Sequence, residues 1–150
     1  MSHKAAFSFE LFPPRTPEGV AKLPEVVKKL ATVKPGFFSV TFGAGGSTQD
    51  GTFETVQMVM QTTGIEAAPH LSCIGSTRDR IQALLAKYRA LGVTRIVTLR
   101  GDLPAMATDT AAPGELHYAN ELVSFIRELH GEHFKLEVAA YPEMHPQAPN

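Results

Sequence analysis

Short apolar segments recur along this chain at a nearly constant interval. Four of them begin at positions 7, 37, 66 and 95, which are 30, 29 and 29 residues apart, and a fifth begins at 136. A β-strand followed by a helix occupies about 30 residues, so this repeat predicts successive βα units. Such units build parallel sheets, whose chemistry lies at the carboxyl ends of the strands. We therefore predict an α/β fold with a functional site at that edge.

The pattern within each repeat predicts where the elements lie. We predict strands over residues 7–12, 37–42, 66–72, 95–99 and 136–140. Helical spacing of apolar residues is clearest in the third helix, which Ser76 or Thr77 should cap and Gly92 should end. Pro24 should kink the first helix or make it restart, and Pro69 is tolerable only near the end or edge of a sheet.

Composition narrows the class of protein. With 150 residues, 43% hydrophobic and 19% charged, we expect a single globular domain over residues 1–150. A formal net charge of −1 argues against nucleic acid as a partner. Cys73 is the sole cysteine, which excludes an internal disulfide and favours the cytoplasm. We found no export signal and no apolar segment long enough to span a membrane, so no membrane partner is expected.

Glu10 is the most suggestive acidic residue, because it lies in an otherwise apolar strand. A carboxyl group at the mouth of such a strand is partly desolvated, which disfavours its ionised form and suits a general acid. The alternative is a carboxylate at the rim that forms an ion pair with Arg15 or another cation. Both interpretations remain open from the residues alone.

Two histidines and one tripeptide are further candidates at strand ends. His70 and His145 could contact a ligand or carry a proton, or be structural histidines bonded to the backbone. Arg100, Gly101 and Asp102 combine a fixed cation, a flexible backbone that a ligand can approach and an acceptor. The alternative is an Arg–Asp pair that ends the strand.

Three other features of the sequence are weaker indications of a functional site. Gly43, Gly45 and Gly46 could form an anion-binding nest but match neither a dinucleotide fingerprint nor a P-loop. No metal-ligand motif is present, so we predict no metal. The segment 101–117 is longer than the other connections and follows a strand, which is typical of a binding loop but also of a tolerated insertion.

Taken together, five motifs in this order resemble the methylenetetrahydrofolate reductase family, flavoprotein (β/α)8 TIM barrels that make methyltetrahydrofolate for methionine synthesis. They are FSFELFPPR at 7–15, SVTFGA at 39–44, AAPHL at 67–71, LRGDLP at 99–104 and AAYPEMHP at 139–146. The resemblance covers nearly the whole chain and places one motif at each predicted strand end.

The resemblance implies FAD across the strand ends, with NADH or NADPH as electron donor and a folate as substrate. Glu10 matches the family's general acid and, with Asp102, its substrate-binding positions. Asp102 also matches a position that tunes the flavin. The remaining positions that match family FAD contacts are Thr41, Phe42, Ala44, His70, Arg100, Gly101, Tyr118, Ala119, Tyr141, His145 and Ala148.

The number of units departs from the family pattern. A (β/α)8 barrel takes about 250 residues, whereas the repeat here predicts about five βα units, so we expect an incomplete barrel that lacks its C-terminal units. Such a chain should be inactive alone, bind FAD weakly, and be poorly soluble or associate into a homo-oligomer through its exposed strand edge. The alternatives are a barrel lyase or hydrolase that uses the Glu and His residues without flavin, or a non-catalytic remnant.

Overall fold

The computed structural model describes residues 6–42, 49–101 and 114–140. Strands and helices alternate along these ranges, as the repeat predicts. The elements are β1 (Ser8–Leu11), α1 (Pro17–Ala31), β2 (Phe37–Val40), α2 (Gln49–Thr63), β3 (Ala67–Ser72), α3 (Arg78–Leu91), β4 (Arg95–Leu99), α4 (Ala119–His130) and β5 (Lys135–Val138). The predicted bounds are correct for β4 and differ by one or two residues at the ends of the other strands.

The strands form one parallel sheet in the order β1-β2-β3-β4-β5. Each strand pairs with the next strand along the chain, and crossovers between parallel strands are right-handed. When the order never reverses, right-handed crossovers place every helix on the same face of the sheet. A doubly wound sheet reverses its order and carries helices on both faces. The observed order is therefore that of a (β/α)8 barrel, and the predicted fold class is confirmed.

The two faces of this sheet differ in chemistry. The face that packs against the helices is apolar, and Phe38, Val40, Leu71 and Ile96 are fully or almost fully buried there. Side chains alternate between the faces along a strand, and residues in register on parallel strands share a face. We call the opposite side the inner face; its members include Glu10, Ser39, Ala68, His70, Arg95, Val97 and Glu137.

Helix ends follow the predicted signals, with one exception. The Thr77 hydroxyl accepts a hydrogen bond from the backbone N–H of Arg80, and Gly92 adopts the left-handed conformation that ends α3. The prediction that the first helix restarts at Pro24 is wrong, because α1 continues through it. Proline removes one hydrogen bond to the carbonyl four residues earlier. That residue is Val20, which is exposed, so water can solvate its carbonyl.

Pro69 occupies a position that the sequence did not indicate. It is buried in β3, the central strand, rather than at an edge. β3 pairs with β2 over residues 67–69 and with β4 over residues 70–72. Pro69 therefore lies where pairing changes from one neighbour to the other, which explains how a residue without an N–H fits inside the sheet.

In the described part of the chain, no helix is both long enough and apolar enough to cross a membrane.

Candidate functional site

Glu10 and His70 meet on the inner face although their strands are not neighbours. Glu10 is in register with Ser39 on β2, which is in register with Ala68 on β3, and His70 is the next residue on that face towards the carboxyl end. The side chains of Ser39 and Ala68 are small, so Glu10 and His70 reach each other across β2. Glu10 Oε2 lies 3.5 Å from His70 Nε2. The structure thus joins two residues that the sequence proposed separately.

The two partners have different environments. The His70 side chain is 11% exposed, whereas that of Glu10 is 53% exposed. Burial lowers the pKa of His70, and the charge of Glu10 opposes this effect only in part. The imidazole is therefore neutral at pH 7. A neutral imidazole has one N–H donor and one bare nitrogen, so it can pair with either protonation state of a carboxyl group.

Thr41 and Phe42 directly follow β2, and the backbone of Thr41 is held on both sides. The Thr41 N–H donates to the Leu11 carbonyl at 2.9 Å, and the buried Thr52 hydroxyl donates to the Thr41 carbonyl at 2.9 Å. The side chains of Thr41 and Phe42 are half-buried. The end of β2 is therefore positioned through its main chain, while its side chains keep part of their surface exposed.

Arg100 and Gly101 follow β4, and here the structure gives a different reason for the glycine. The Arg100 carbonyl accepts hydrogen bonds from the Ser72 hydroxyl and from the Ile74 N–H, each at 2.9 Å. Gly101 has φ +84°, and a Cβ there would lie 1.9 Å from Ser72 Oγ. The sequence predicted space for a ligand at this glycine, but Ser72 of the same chain fills that space.

Tyr118 is the residue that caps α4, Ala119 is the first residue of that helix, and Tyr118 lies near Arg100. The guanidinium carbon of Arg100 is 5.7 Å from the centroid of the exposed Tyr118 ring. The Glu121 carboxylate accepts hydrogen bonds from the backbone N–H groups of His117 at 2.6 Å and of Tyr118 at 3.3 Å. Those hydrogen bonds lower the pKa of Glu121. Glu121 stands three residues after the cap, a helix-start signal that sequence reasoning missed.

The segment just before Tyr118 docks on the start of α3. The Glu115 carboxylate accepts a hydrogen bond from the Arg78 N–H, the Glu115 N–H donates to the Ser76 carbonyl, and Leu116 is buried. Gly114 packs so closely that a Cβ would lie 2.8 Å from the Gly75 nitrogen. The described end of the long connection is therefore an ordered part of the carboxyl edge. Nothing in the spacing of the sequence pointed to Glu115.

The β4–β5 side of the inner face carries an ion-pair cluster that sequence reasoning also missed. Arg95 Nε lies 2.9 Å from Glu66 Oε2, and a second guanidinium nitrogen bonds the Glu137 carboxylate. The Thr94 hydroxyl donates to Glu66 at 2.6 Å, and the Arg95 guanidinium stacks 4.5 Å from the Phe37 ring centroid. Burial raises the pKa of Glu66, but the hydrogen bonds from Thr94 and Arg95 and the charges of Arg95 and Lys135 outweigh it and lower that pKa overall.

Several predicted site residues lie outside the described residues, namely Ala44, Asp102, Tyr141, His145 and Ala148. Gly43, Gly45 and Gly46, the predicted nest, also fall outside. Within 6–42, 49–101 and 114–140, no three or more His, Cys, Asp or Glu side chains are grouped so that they could hold a metal ion. The described candidates are brought together as Glu10 with His70 and Arg100 with Tyr118, at the same end of the sheet as Thr41.

A singly wound parallel sheet with polar side chains towards its carboxyl edge defines an α/β protein of the barrel type. The family model described as methylenetetrahydrofolate reductase matches residues 1–150, and the chain belongs to that family.

Individual relatives agree with this assignment. The chain is 43% identical over 141 residues to the 5,10-methylenetetrahydrofolate reductase of Salmonella typhimurium, covering 94% of this chain and 45% of that protein. It is 42% identical to the protein of the same name from Escherichia coli, with the same coverage. It is 38% identical over 144 residues to methylenetetrahydrofolate reductase (NADH) 1 of Arabidopsis thaliana, covering 95% of this chain and 24% of that protein. The chain thus spans less than half the length of these relatives, whose names are those of oxidoreductases.

Proposed function

We propose that this chain forms the flavin-binding, acid-carrying part of an enzyme that reduces methylenetetrahydrofolate to methyltetrahydrofolate with NADH or NADPH. The observation that carries the proposal is the Glu10–His70 contact on the inner face of the sheet. The family model matches the chain that contains this contact over residues 1–150. The half-exposed carboxyl group of Glu10 can exchange a proton with a ligand and with water. One-carbon metabolism in the cytoplasm is the corresponding setting.

The described residues at the carboxyl edge fit a flavin nucleotide. Arg100 offers a cation suited to a diphosphate, and its backbone is held by Ser72 and Ile74. Tyr118 offers an exposed aromatic ring and Thr41 a half-buried hydroxyl side chain. We propose that FAD is held by Thr41, Phe42, Ala44, His70, Arg100, Gly101, Asp102, Tyr118, Ala119, Tyr141, His145 and Ala148. When bound, it supplies the hydride chemistry that links the nicotinamide donor to the folate.

Glu10 is the residue to which we assign proton transfer. Opening the bridged ring of methylenetetrahydrofolate leaves a nitrogen that needs a proton, and we propose that Glu10 supplies it. Its O–H bond breaks as the N–H bond of the substrate forms, and water can return the proton because the side chain of Glu10 is half-exposed. We propose Asp102 as a second folate-binding residue and as the group that tunes the flavin.

We further propose that β1 to β5 are the first five strands of a (β/α)8 barrel, so that residues 1–150 form the N-terminal part of a single domain. The sequential strand order and the coverage of less than half of the bacterial relatives support this assignment. Pairing of copies through a strand edge is the route we propose for any homo-oligomer of this part alone.

The flavin site is tested by titrating the chain with FAD and following flavin fluorescence. We expect Arg100→Gln to weaken binding about tenfold, the loss of one charge-assisted contact. Arg89→Gln is the matched control, because it removes the same side chain from the last turn of α3, at the opposite end of the sheet. Equal affinities for the wild type and both variants would contradict the proposed site.

The acid is tested in a protein that carries residues 1–150 together with the C-terminal part that the relatives have. We expect Glu10→Gln to abolish reduction of the folate while the nicotinamide still bleaches the bound flavin, because only the folate step needs a proton from Glu10. Stopped-flow absorbance measures the two half-reactions separately. Equal losses in both would assign Glu10 to binding rather than to proton transfer.

A further inference from the structure

The two residues of the Glu10–His70 contact differ in how tightly their surroundings hold them. His70 lies within β3, the central strand, and its side chain is almost fully buried, whereas Glu10 lies on the edge strand β1 of the described sheet with half of its side chain exposed. A buried side chain on a central strand has little freedom to move. The imidazole therefore determines where the carboxyl group rests, rather than the reverse.

Few other charges compete for this imidazole. On the same face, Arg95 of β4 is engaged by Glu66 and by Glu137 of β5, and the charge of Lys135 of β5 acts on Glu66. Among the described residues, Glu10 is the charged group that acts on the imidazole of His70.

The geometry points to His70 as a positioning residue for the proposed acid Glu10. We propose that its imidazole holds the Glu10 carboxyl group on the inner face in both protonation states. It accepts a hydrogen bond through Nε2 while Glu10 carries the proton. After that proton has gone to the substrate, the ring gives its Nδ1 proton to water and takes one from water at Nε2, so that Nε2 donates to the carboxylate. His70 itself gains and loses no net proton. This inference rests on the proposed function for its catalytic meaning, but the contact can be tested without flavin or folate.

The first experiment measures the titration of His70 by NMR in the 150-residue chain, from the chemical shift of its ring. We expect Glu10→Gln to lower the pKa of His70, because the carboxylate charge that favours the imidazolium is removed. Glu25→Gln is the matched control, since Glu25 is exposed on α1 and pairs with Lys29. An unchanged His70 titration in Glu10→Gln would overturn the proposal, whether or not the chain binds FAD.

Glu10→Asp keeps the charge and shortens the side chain by one methylene, so it decides the question if Glu10→Gln does not fold. We expect its His70 pKa to fall below that of the wild type, because the carboxylate is withdrawn from the imidazole. A His70 pKa equal to that of the wild type would show that the carboxyl group is not held in contact, and would overturn the proposal.

The second experiment links the contact to the reaction, in the longer protein used for the two half-reactions and at saturating FAD. We expect His70→Ala to slow folate reduction about tenfold and to change its pH profile, and His70→Gln, which keeps a hydrogen-bonding group, to restore part of the rate. In the Glu10→Asp background, which keeps an acid, His70→Ala should cause a smaller further loss than it does in the wild type. Additive losses, or an unchanged pH profile, would assign His70 to flavin binding alone. Failure of FAD to bind would instead count against the proposed function.

Discussion

The two sides of the inner face use polar residues in different ways. On the β4–β5 side, Arg95 is closed in by Glu66 and Glu137, and its side chain is only 18% exposed. On the β1–β3 side, Glu10 lies 3.5 Å from His70, a longer contact, and half of the Glu10 side chain is exposed.

Backbone contacts position the carboxyl edge of the sheet. The carbonyls of Thr41 and Arg100 accept hydrogen bonds from buried hydroxyl groups of Thr52 and Ser72. These hydrogen bonds fix the main chain at both positions. This arrangement is the one expected of a binding edge, because loops that carry function must be positioned by a rigid scaffold.

The largest effect should come from the backbone of the carboxyl end. Gly101→Ala must place a Cβ 1.9 Å from Ser72 Oγ at φ +84°, so we expect it to lower the free energy of unfolding by about 3 kcal/mol. Gly64→Ala is the control, because Gly64 has φ +68° with nothing within 4 Å of the new Cβ, and should cost about 1 kcal/mol. Urea denaturation measures both; similar losses would show that the close approach to Ser72 does not constrain this end.

The ion pairs on the β4–β5 side should matter for stability and not for ligand binding. Arg95→Met leaves the carboxylates of Glu66 and Glu137 without their shared cation, and we expect a loss of about 2 kcal/mol with unchanged FAD affinity. Lys29→Met is the control, because its pair with Glu25 is 76% and 73% exposed and should contribute almost nothing. A clear loss of FAD affinity in Arg95→Met would remove the distinction between the two sides.

A smaller effect should follow at the segment that carries Tyr118. Glu115→Gln replaces a charged acceptor at the start of α3, and we expect it to lower stability by about 0.5 to 1 kcal/mol. It should also weaken FAD binding slightly, since Tyr118 is positioned through this segment. Glu132→Gln, at an exposed ion pair with Arg127, should change neither quantity. Titration with FAD and urea denaturation of both variants check this.

The smallest effect concerns the stability of the fold at acidic pH. Burial lowers the pKa of both His70 and His130 from 6.5, and Arg89 and His133 lower that of His130 further. The unfolded chain then binds protons more readily than the folded chain, so the stability present above pH 6.5 is lost as the pH falls below it. His130→Gln should reduce this loss without affecting FAD binding. Denaturation at several pH values measures how steeply the free energy of unfolding changes with pH. Equal slopes for the wild type and His130→Gln would contradict the effect of burial.

Much of the fold could be predicted because it depends on local patterns. The repeat of apolar segments predicted the parallel sheet, and capping residues such as Thr77 and Gly92 predicted the ends of α3 correctly. Pro24 and Pro69 were misjudged for a shared reason. The cost of a proline depends on whether the group that loses its hydrogen bond faces water or lies where strand pairing changes, and neither is visible in the sequence.

The candidate site, like the fold, could be predicted from the sequence only in part. The sequence by itself identified Glu10, His70 and Arg100 as residues at strand ends, and its resemblance to the family added Thr41 and Tyr118 and indicated a reductase. Only the tertiary structure decided that Glu10 reaches His70 across β2, that Gly101 makes room for Ser72, and that Arg95 joins Glu66 and Glu137. The physical reason is that strand register brings together side chains far apart along the chain. A local sequence pattern carries no information about which distant side chains the register brings together. The repeat of apolar segments is itself local and is therefore visible in the sequence.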